Sequence, residues 1–304
     1  MSDVIRMDPI ESEAREIYFQ NYLHICGITF LFWDHILTLG TEIRFLWNRR
    51  KFVSAYSFFI IRYFAVASNI PGVIFLVVSI PPKSFVVVNH SCLLWTFLYA
   101  VVILMVQWLV CVIMILRMYA LYGRSKRVLG VLVVLGAICT GVAVWNAQGQ
   151  HGTTITILPG CHPHFSTATS YHLAAAWATL FVFDTVIFGM TIYNGWCARR
   201  CLGPRSTVSF QTIIVRDGAL YFGVMVLANL ANILTFIART NTSVLPGSLA
   251  TFASCISITM MMRLMLNLHE HAERGVLDMH PENLEMRSEP IFHVNIHRTS
   301  YVEY

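Results

Sequence analysis

The sequence predicts an all-α polytopic membrane protein, a bundle of seven transmembrane helices with its N-terminus outside and its C-terminus in the cytoplasm. Composition, the length of the apolar runs and the distribution of positive charge predict this class. Of the 304 residues, 56% are hydrophobic and 12% are charged, whereas about 25% of residues are charged in soluble domains. A soluble fold of this size still exposes roughly a quarter of its unfolded surface, so lipid must solvate the apolar runs.

The number of spans follows from run length. A helix that crosses about 30 Å of hydrocarbon at about 1.5 Å per residue needs about 20 apolar residues. Seven segments qualify, and the first is the weakest because it contains Asp34 and His35. The predicted spans are Tyr22–Leu39, Ala55–Ile80, Ser91–Leu116, Val128–Trp145, Tyr171–Trp196, Ala219–Ala238 and Ser248–Leu268.

Two segments flank the predicted bundle of residues 22–268. Residues 1–21 are acidic and lack the basic stretch and apolar run of a cleavable signal, so we expect an extracellular N-terminal segment and a retained first span. Residues 269–304 mix charges with prolines, a composition that cannot bury a core. We therefore predict a mostly disordered cytoplasmic tail.

The orientation follows from the short loops, because Lys and Arg are retained on the cytoplasmic side. The longest loop on the opposite side, residues 146–170, has no Lys or Arg. Because basic loops alternate with loops poor in Lys and Arg, and the two termini lie on opposite sides, the number of spans must be odd. We interpret the net charge of +5 as an inner face that meets anionic lipid, not nucleic acid. The inner clusters are Arg44, Arg49, Arg50 and Lys51; Arg117, Arg124, Lys126 and Arg127; and Arg199, Arg200, Arg205 and Arg216.

Four residues on the predicted outer side are candidates for modification. Asn89 and Asn241 begin Asn-x-Ser sequons and are candidate N-glycosylation sites. Cys92 and Cys161 are the two cysteines predicted to face an oxidising compartment. They form a candidate disulfide, with two unpaired thiols as the alternative.

Charged groups inside the predicted spans are functional candidates, because an ionisable group in hydrocarbon is costly unless it is paired. Asp34 and Arg263 lie at similar depths in the first and seventh spans, which are neighbours in a closed ring. We predict that Asp34 pairs with Arg263 or Arg62 as a structural ion pair. The alternative is a role for these charges in binding a ligand or a proton.

A polar cluster is also predicted between the fifth and sixth spans. Asp184 lies near the middle of the fifth span, and Asn229 and Asn232 share one face of the sixth. The cluster either holds the two helices together or binds a polar ligand or a proton. An aromatic stripe shares the face of Asp184, and it either lines a pocket open to the outside or packs as core: Trp177, Phe181 and Phe188.

No metal, cofactor or catalytic site is predicted. The run Cys161-His162-Pro163-His164 is a weak zinc signal, because zinc sites are recognised by paired ligand motifs. A retinal chromophore needs a lysine inside a span, whereas the only lysines are Lys51, Lys83 and Lys126. We therefore expect no enzyme.

Several stretches resemble the basidiomycete fungal membrane proteins grouped as domain of unknown function (DUF) 6533. The run Trp33-Asp34-His35-Ile36-Leu37-Thr38-Leu39, then Glu42-Ile43-Arg44 and Trp47, is similar to the N-terminal signature of that domain, at roughly residues 22 to 67. Gly40-Thr41 and Met262 depart from the pattern. The resemblance implies a multispan fungal membrane protein and leaves the activity open. Later similar stretches are Arg117–Tyr122, Phe183–Thr185, Arg216–Gly218, Ala228–Asn229 and Arg263–Leu268.

Three functions compete. The first is a receptor-like or scaffold protein with a small ligand or a cytoplasmic protein as its partner, in the plasma membrane or a secretory-pathway membrane. The second is a small-solute or proton-coupled transporter, for which only Pro71-Gly72 suggests a broken helix. The third is a membrane-embedded hydrolase, the weakest because the intramembrane histidines, His24 and His35, both lie on the first span.

Overall fold

The computed structural model describes residues 9–47, 53–77, 85–147, 152–155, 162–165, 167–202, 210–237 and 247–279, and the structural statements below concern these residues. They form seven α-helices and one π-helical turn, Ile43–Trp47, at the end of the first helix. The helices are α1 (Pro9–Glu42), α2 (Val53–Val77), α3 (Phe85–Leu121), α4 (Lys126–Ala147), α5 (Thr167–Leu202), α6 (Phe210–Ile237) and α7 (Ala250–Met279).

A short β-hairpin lies between α4 and α5. Strands β1 (Gly152–Ile155) and β2 (His162–Phe165) pair antiparallel, with Gly152 opposite Phe165. The all-α prediction did not include this hairpin. Its first strand contains the β-branched residues Thr153, Thr154 and Ile155, which favour extended backbone.

Six of the described helices are long and apolar enough to cross a membrane, so the chain is a multi-pass membrane protein. The described part of α2 is not among the six, although the helix has 25 residues and a single charged one, Arg62. A seventh span through α2 therefore stays a prediction. The six segments are Ala14–Glu42, Thr96–Leu121, Lys126–Asn146, Ala168–Cys197, Gly218–Ile237 and Ala250–Glu270.

The helices extend beyond the predicted spans at both ends of the chain. The first begins at Pro9, so much of the segment before Tyr22 is helical, with Glu11 in the first turn, where a negative charge stabilises a helix. The last continues to Met279, so residues 269–279, the beginning of the predicted cytoplasmic tail, are helical. Polar helix formers such as Glu270, Glu273 and Arg274 allow this continuation.

The seven helices form a closed ring in which each helix packs against the next and α7 packs against α1. The last helix also contacts α2 and α3. In its most apolar membrane-spanning stretch, 67% of α7 is buried inside the protein. In the corresponding stretches of the other five spanning helices, 11% to 39% is buried. The helix α7 is therefore the most interior of the spanning helices.

The two ends of the bundle differ in charge. We call the end at which α1, α3, α5 and α7 finish the basic end, because its exposed charged side chains include Arg44, Arg124, Lys126, Arg127 and Arg200. We call the opposite end, with β1 and β2, the hairpin end. Between them lies an apolar core built from all seven helices, with the fully buried side chains of Phe58, Met114, Leu132, Phe183, Met225, Ile258 and Met261.

A glycine allows α1 and α7 to approach closely. A Cβ atom added at Gly27 would lie 2.9 Å from the Cα of Phe252. Small residues at helix crossings bring backbones into contact, and this packing is a main source of helix association in membranes. The closure of the ring therefore depends on a residue without a side chain at position 27.

We expect Gly27→Ala to lower the melting temperature of the purified protein, because the added methyl group pushes α7 away from α1. Overpacking of a close-packed site costs about 1–3 kcal/mol. The matched control is Gly40→Ala on the same helix, where nothing lies within 4 Å of the added Cβ. Thermal unfolding in detergent should show no loss for the control, and equal effects of the two changes would contradict the close crossing.

Candidate functional site

A buried ion pair joins α1 to α2 near the basic end. The Nε atom of Arg62 lies 2.9 Å from Oε2 of Glu42, and the two side chains are 3% and 0% exposed. These two atoms lack linear hydrogen-bond geometry, so charge attraction joins them. The Nη2 atom of Arg62 donates hydrogen bonds to the Thr38 hydroxyl (2.8 Å) and the His35 carbonyl (2.9 Å). The guanidinium is therefore held along one side of α1.

The second carboxylate oxygen of Glu42 accepts two hydrogen bonds. Trp47 Nε1 and the Tyr63 hydroxyl each donate to Oε1 of Glu42 at 3.0 Å. Trp47 follows Glu42 by five residues, and the intervening backbone is the π-helical turn Ile43–Trp47. Because the hydrogen bonds of a π-helix join residues five apart, the turn places the indole beside the carboxylate. Both oxygens of this buried carboxylate therefore have partners.

A second ion pair joins α1 to α7. The Nε atom of Arg263 donates to Oδ1 of Asp34 at 2.5 Å. Asp34 is 4% exposed and Arg263 is 41% exposed, so one partner is enclosed and the other reaches the surface. The Thr38 hydroxyl, which accepts a hydrogen bond from Arg62, donates to the Asp34 carbonyl at 2.6 Å. Thr38 thus connects the two ion pairs.

The structure brings Asp34 together with Arg263, one of the two partners that the sequence suggested. The other suggested partner, Arg62, pairs instead with Glu42. Glu42 was not among the predicted site residues, because it lies beyond the predicted end of the first span. The spacing offered a signal, because Asp34, Thr38 and Glu42 are four residues apart and lie on one helical face.

Most of this site lies in a segment that matches a protein-family model. The model of a family described as "Family of unknown function (DUF6533)" matches residues 22–67, which confirms the resemblance over that segment. The matched residues include both members of the Glu42–Arg62 pair and also Asp34, whereas Arg263 lies outside. No curated protein matches the chain. The matched segment thus contains parts of α1 and α2, the buried Glu42–Arg62 pair that joins them, and the Asp34 carboxylate that binds α7.

A second polar site lies between α5 and α6. The Nδ2 atom of Asn229 donates to Oδ2 of Asp184 at 2.6 Å, and the two residues are 0% and 2% exposed. Asn232 is also fully buried, and neither its amide nitrogen nor its amide oxygen has a hydrogen-bond partner among the described residues. The structure therefore places Asp184 and Asn229 in contact, and the amide group of Asn232 can still form hydrogen bonds.

The aromatic residues that share the face of Asp184 are half-buried. Phe188 packs against Gly223 of α6, because a Cβ atom added at Gly223 would lie 3.4 Å from its ring. Trp177 and Phe181 are half-buried. The packing of Phe188 matches the aromatic-core alternative of the sequence analysis.

A small polar cavity lies between α2, α3 and α7 toward the hairpin end. It is lined by Ser68, Asn69, Tyr99, Val102, Ile103, Val106, Thr251, Ser254, Cys255 and Ile258. The Tyr99 hydroxyl lies 3.1 Å from the Thr251 hydroxyl oxygen and 3.4 Å from His24 Nε2. Gln107 donates to the Ser254 hydroxyl oxygen at 3.1 Å. Hydrogen bonds therefore join α1, α3 and α7 around the cavity.

Four residues of the predicted outer side, or their side chains, lie outside the described part of the structure. Cys161 and Asn241 lie outside the described residues, as do the side chains of Cys92 and Asn89, so the disulfide and the glycosylation sites stay predictions. Among the described residues, no three His, Cys, Asp or Glu side chains form a group that could hold a metal ion. The Nδ1 atom of His172 donates a hydrogen bond at 2.7 Å to Asn146 Oδ1, which joins α4 to α5.

We expect Glu42→Gln to destabilise the protein more than Asp34→Asn does. Glutamine preserves an acceptor for Trp47 and Tyr63 but leaves the buried Arg62 without its counter-charge, a loss that typically costs about 3–5 kcal/mol. Asp34→Asn leaves Arg263 without its partner, but the long Arg263 side chain is 41% exposed and can extend toward water more easily than the buried Arg62 can. Thermal unfolding and monodispersity in detergent would measure the difference.

The double change Asp34→Asn with Arg263→Gln serves as the control for the second pair. It should be less destabilising than the sum of the two single changes, because it removes both charges together. Strictly additive effects, or a milder effect of Glu42→Gln than of Asp34→Asn, would contradict this assignment of the charge pairs.

Proposed function

We propose that this integral membrane protein is a receptor-like seven-helix protein in which α7 transmits a change at the hairpin end to the basic end. The observation that carries the proposal is the placement of polar contacts along α7. Thr251 and Ser254 meet α3 near the hairpin end, at Tyr99 and Gln107. Near the basic end, Arg263 meets α1 at Asp34.

The interior position of α7 supports this role. A signal can pass through a helix bundle if one helix has two arrangements and if both sites change the equilibrium between these arrangements. The residues Thr251 and Arg263 are twelve positions apart, or about 18 Å along a helix. Because Arg263 is 41% exposed, its pair with Asp34 is the less enclosed of the two ion pairs and the more easily broken.

The proposed topology has α2 as the seventh span, the N-terminus outside and the C-terminus in the cytoplasm. The ring supports a spanning α2, because α2 packs between α1 and α3. Its one cation, Arg62, is 3% exposed and paired with Glu42, which lowers the cost of a charge within the bilayer. The exposed cations of the basic end support a cytoplasmic location for that end.

The proposed setting is a basidiomycete fungal cell, as the family resemblance suggests, and a plasma or secretory-pathway membrane. The ligand is a small molecule that acts at the hairpin end, and a cytoplasmic protein is the partner at the basic end. A scaffold without a ligand is the limiting case, in which only the cytoplasmic partner binds.

A proton-coupled transporter is the second candidate, and the Asp184–Asn229 contact favours it. The contact is fully buried between two spanning helices, and buried carboxylates at this depth form the proton relays of pumps and transporters. A membrane-embedded hydrolase comes third, because it would need convergent His, Asp and Ser side chains.

The coupling through α7 can be tested with fluorine NMR of protein labelled with 5-fluorotryptophan. Trp47 reports on the basic end, because the π-helical turn contacts α7, and Trp47→Phe assigns its signal among the seven tryptophans. We expect Thr251→Val, which removes a hydroxyl near the hairpin end, to shift or broaden the Trp47 resonance.

The matched control for this experiment is Thr185→Val on α5. The Thr185 hydroxyl is exposed and donates only to the carbonyl of Phe181, at 2.7 Å, in the described contacts. This change should leave the Trp47 resonance in place. A Trp47 signal that is unmoved by Thr251→Val would overturn the proposal that α7 couples the two ends.

Proton flux separates the receptor-like function from the transporter. In proteoliposomes with a trapped pH-sensitive dye and an imposed pH gradient, a receptor-like protein should give the leak rate of protein-free vesicles. The variant Asp184→Asn, which keeps an oxygen for Asn229, should give the same rate. Flux above the leak that Asp184→Asn abolishes would establish the transporter instead.

A further inference from the structure

The cavity between α2, α3 and α7 is small and polar. The space open to the centre of a water molecule is about 10 Å³. A cavity needs about 10–15 Å³ by this measure to hold one water, whereas pockets for drug-sized ligands have about 300–1,000 Å³. The cavity therefore fits one water molecule and excludes a larger ligand.

The walls of the cavity carry groups that both donate and accept hydrogen bonds. From α2, Asn69 donates through Nδ2 to the Ala65 carbonyl at 2.7 Å, so its Oδ1 atom is the acceptor that the side chain can offer to the cavity. From α7, the hydroxyl oxygen of Ser254 accepts from Gln107, and the hydroxyl hydrogen can donate. Tyr99 of α3 adds a hydroxyl to the lining.

We propose that this cavity is a water-binding site, in which one ordered water bridges Asn69 of α2 and Ser254 of α7 beside Tyr99 of α3. Empty cavities in proteins are apolar, whereas buried waters typically make about three hydrogen bonds to polar groups. Here the polar groups come from three helices. The water joins α2 to the interior helix α7 near the hairpin end, and the site does not depend on the receptor-like function.

Radiolytic footprinting in ¹⁸O-water tests the site in lipid nanodiscs. Hydroxyl radicals form from bound water on X-ray exposure and label the nearest side chains. We expect rapid ¹⁸O incorporation at Tyr99. The control is Phe97 on the same helix, which is 53% exposed on the surface of the spanning segment Thr96–Leu121 and lies outside the cavity lining. Labelling of Tyr99 no faster than that of Phe97 would overturn the proposal.

A cavity-filling variant tests the same site by stability. Val106→Ile adds one methylene, close to the size of a water molecule, to a residue that lines the cavity. If water is bound, the methylene displaces it and leaves polar groups without partners. We then expect a lower melting temperature and a several-fold loss of ¹⁸O at Tyr99.

Val110→Ile is the matched control, because Val110 is equally buried on the same helix, at 2% against 3% for Val106, and lies outside the cavity lining. It reports the cost of overpacking alone and should leave the labelling of Tyr99 unchanged. A higher melting temperature for Val106→Ile, or unchanged labelling, would show that the cavity is dry. If Val106→Ile does not fold, the comparison of Tyr99 with Phe97 in the unaltered protein decides.

Discussion

The buried charge pair of Glu42 and Arg62 is the constraint on which the arrangement of the first two helices depends. Each charge alone would cost several kcal/mol in a medium of low dielectric constant, and only good geometry with further hydrogen bonds repays that cost. Here Trp47, Tyr63 and Thr38 supply those hydrogen bonds. The backbone adapts to this requirement, because a π-helical turn replaces the α-helix where the indole must reach the carboxylate.

The second ion pair extends the same arrangement to the interior helix. Asp34 lies two helical turns before Glu42 on the same face of α1, and its partner Arg263 comes from α7. Gly27 on α1 brings the two backbones together at Phe252. The α1–α2 unit therefore contacts α7 through a close backbone crossing and one charge contact, while polar groups of α3 hold α7 near the hairpin end.

The sequence predicted the features that depend on hydropathy and on the ring order. The apolar runs predicted the membrane class and seven spans, and six of the described helices are long and apolar enough to span. Similar depths in the first and last spans suggested the contact of Asp34 with Arg263. The role of Glu42 was missed because hydropathy ended the first span at Leu39, whereas the helix continues to Glu42. The cavity could not be predicted, because it depends on which small gap remains where Asn69, Tyr99 and Ser254 meet in three dimensions.

The two ion pairs differ greatly in sequence separation, and this has a consequence for biosynthesis. Glu42 and Arg62 are twenty residues apart, so their charges can neutralise each other soon after synthesis. Asp34 precedes Arg263 by 229 residues, which at about 5–20 residues per second is a delay of roughly ten to fifty seconds. During that interval the Asp34 carboxylate lacks the cation that it meets in the finished bundle. A chain truncated before α7 never supplies that cation, so quality control in the membrane can recognise it by this carboxylate.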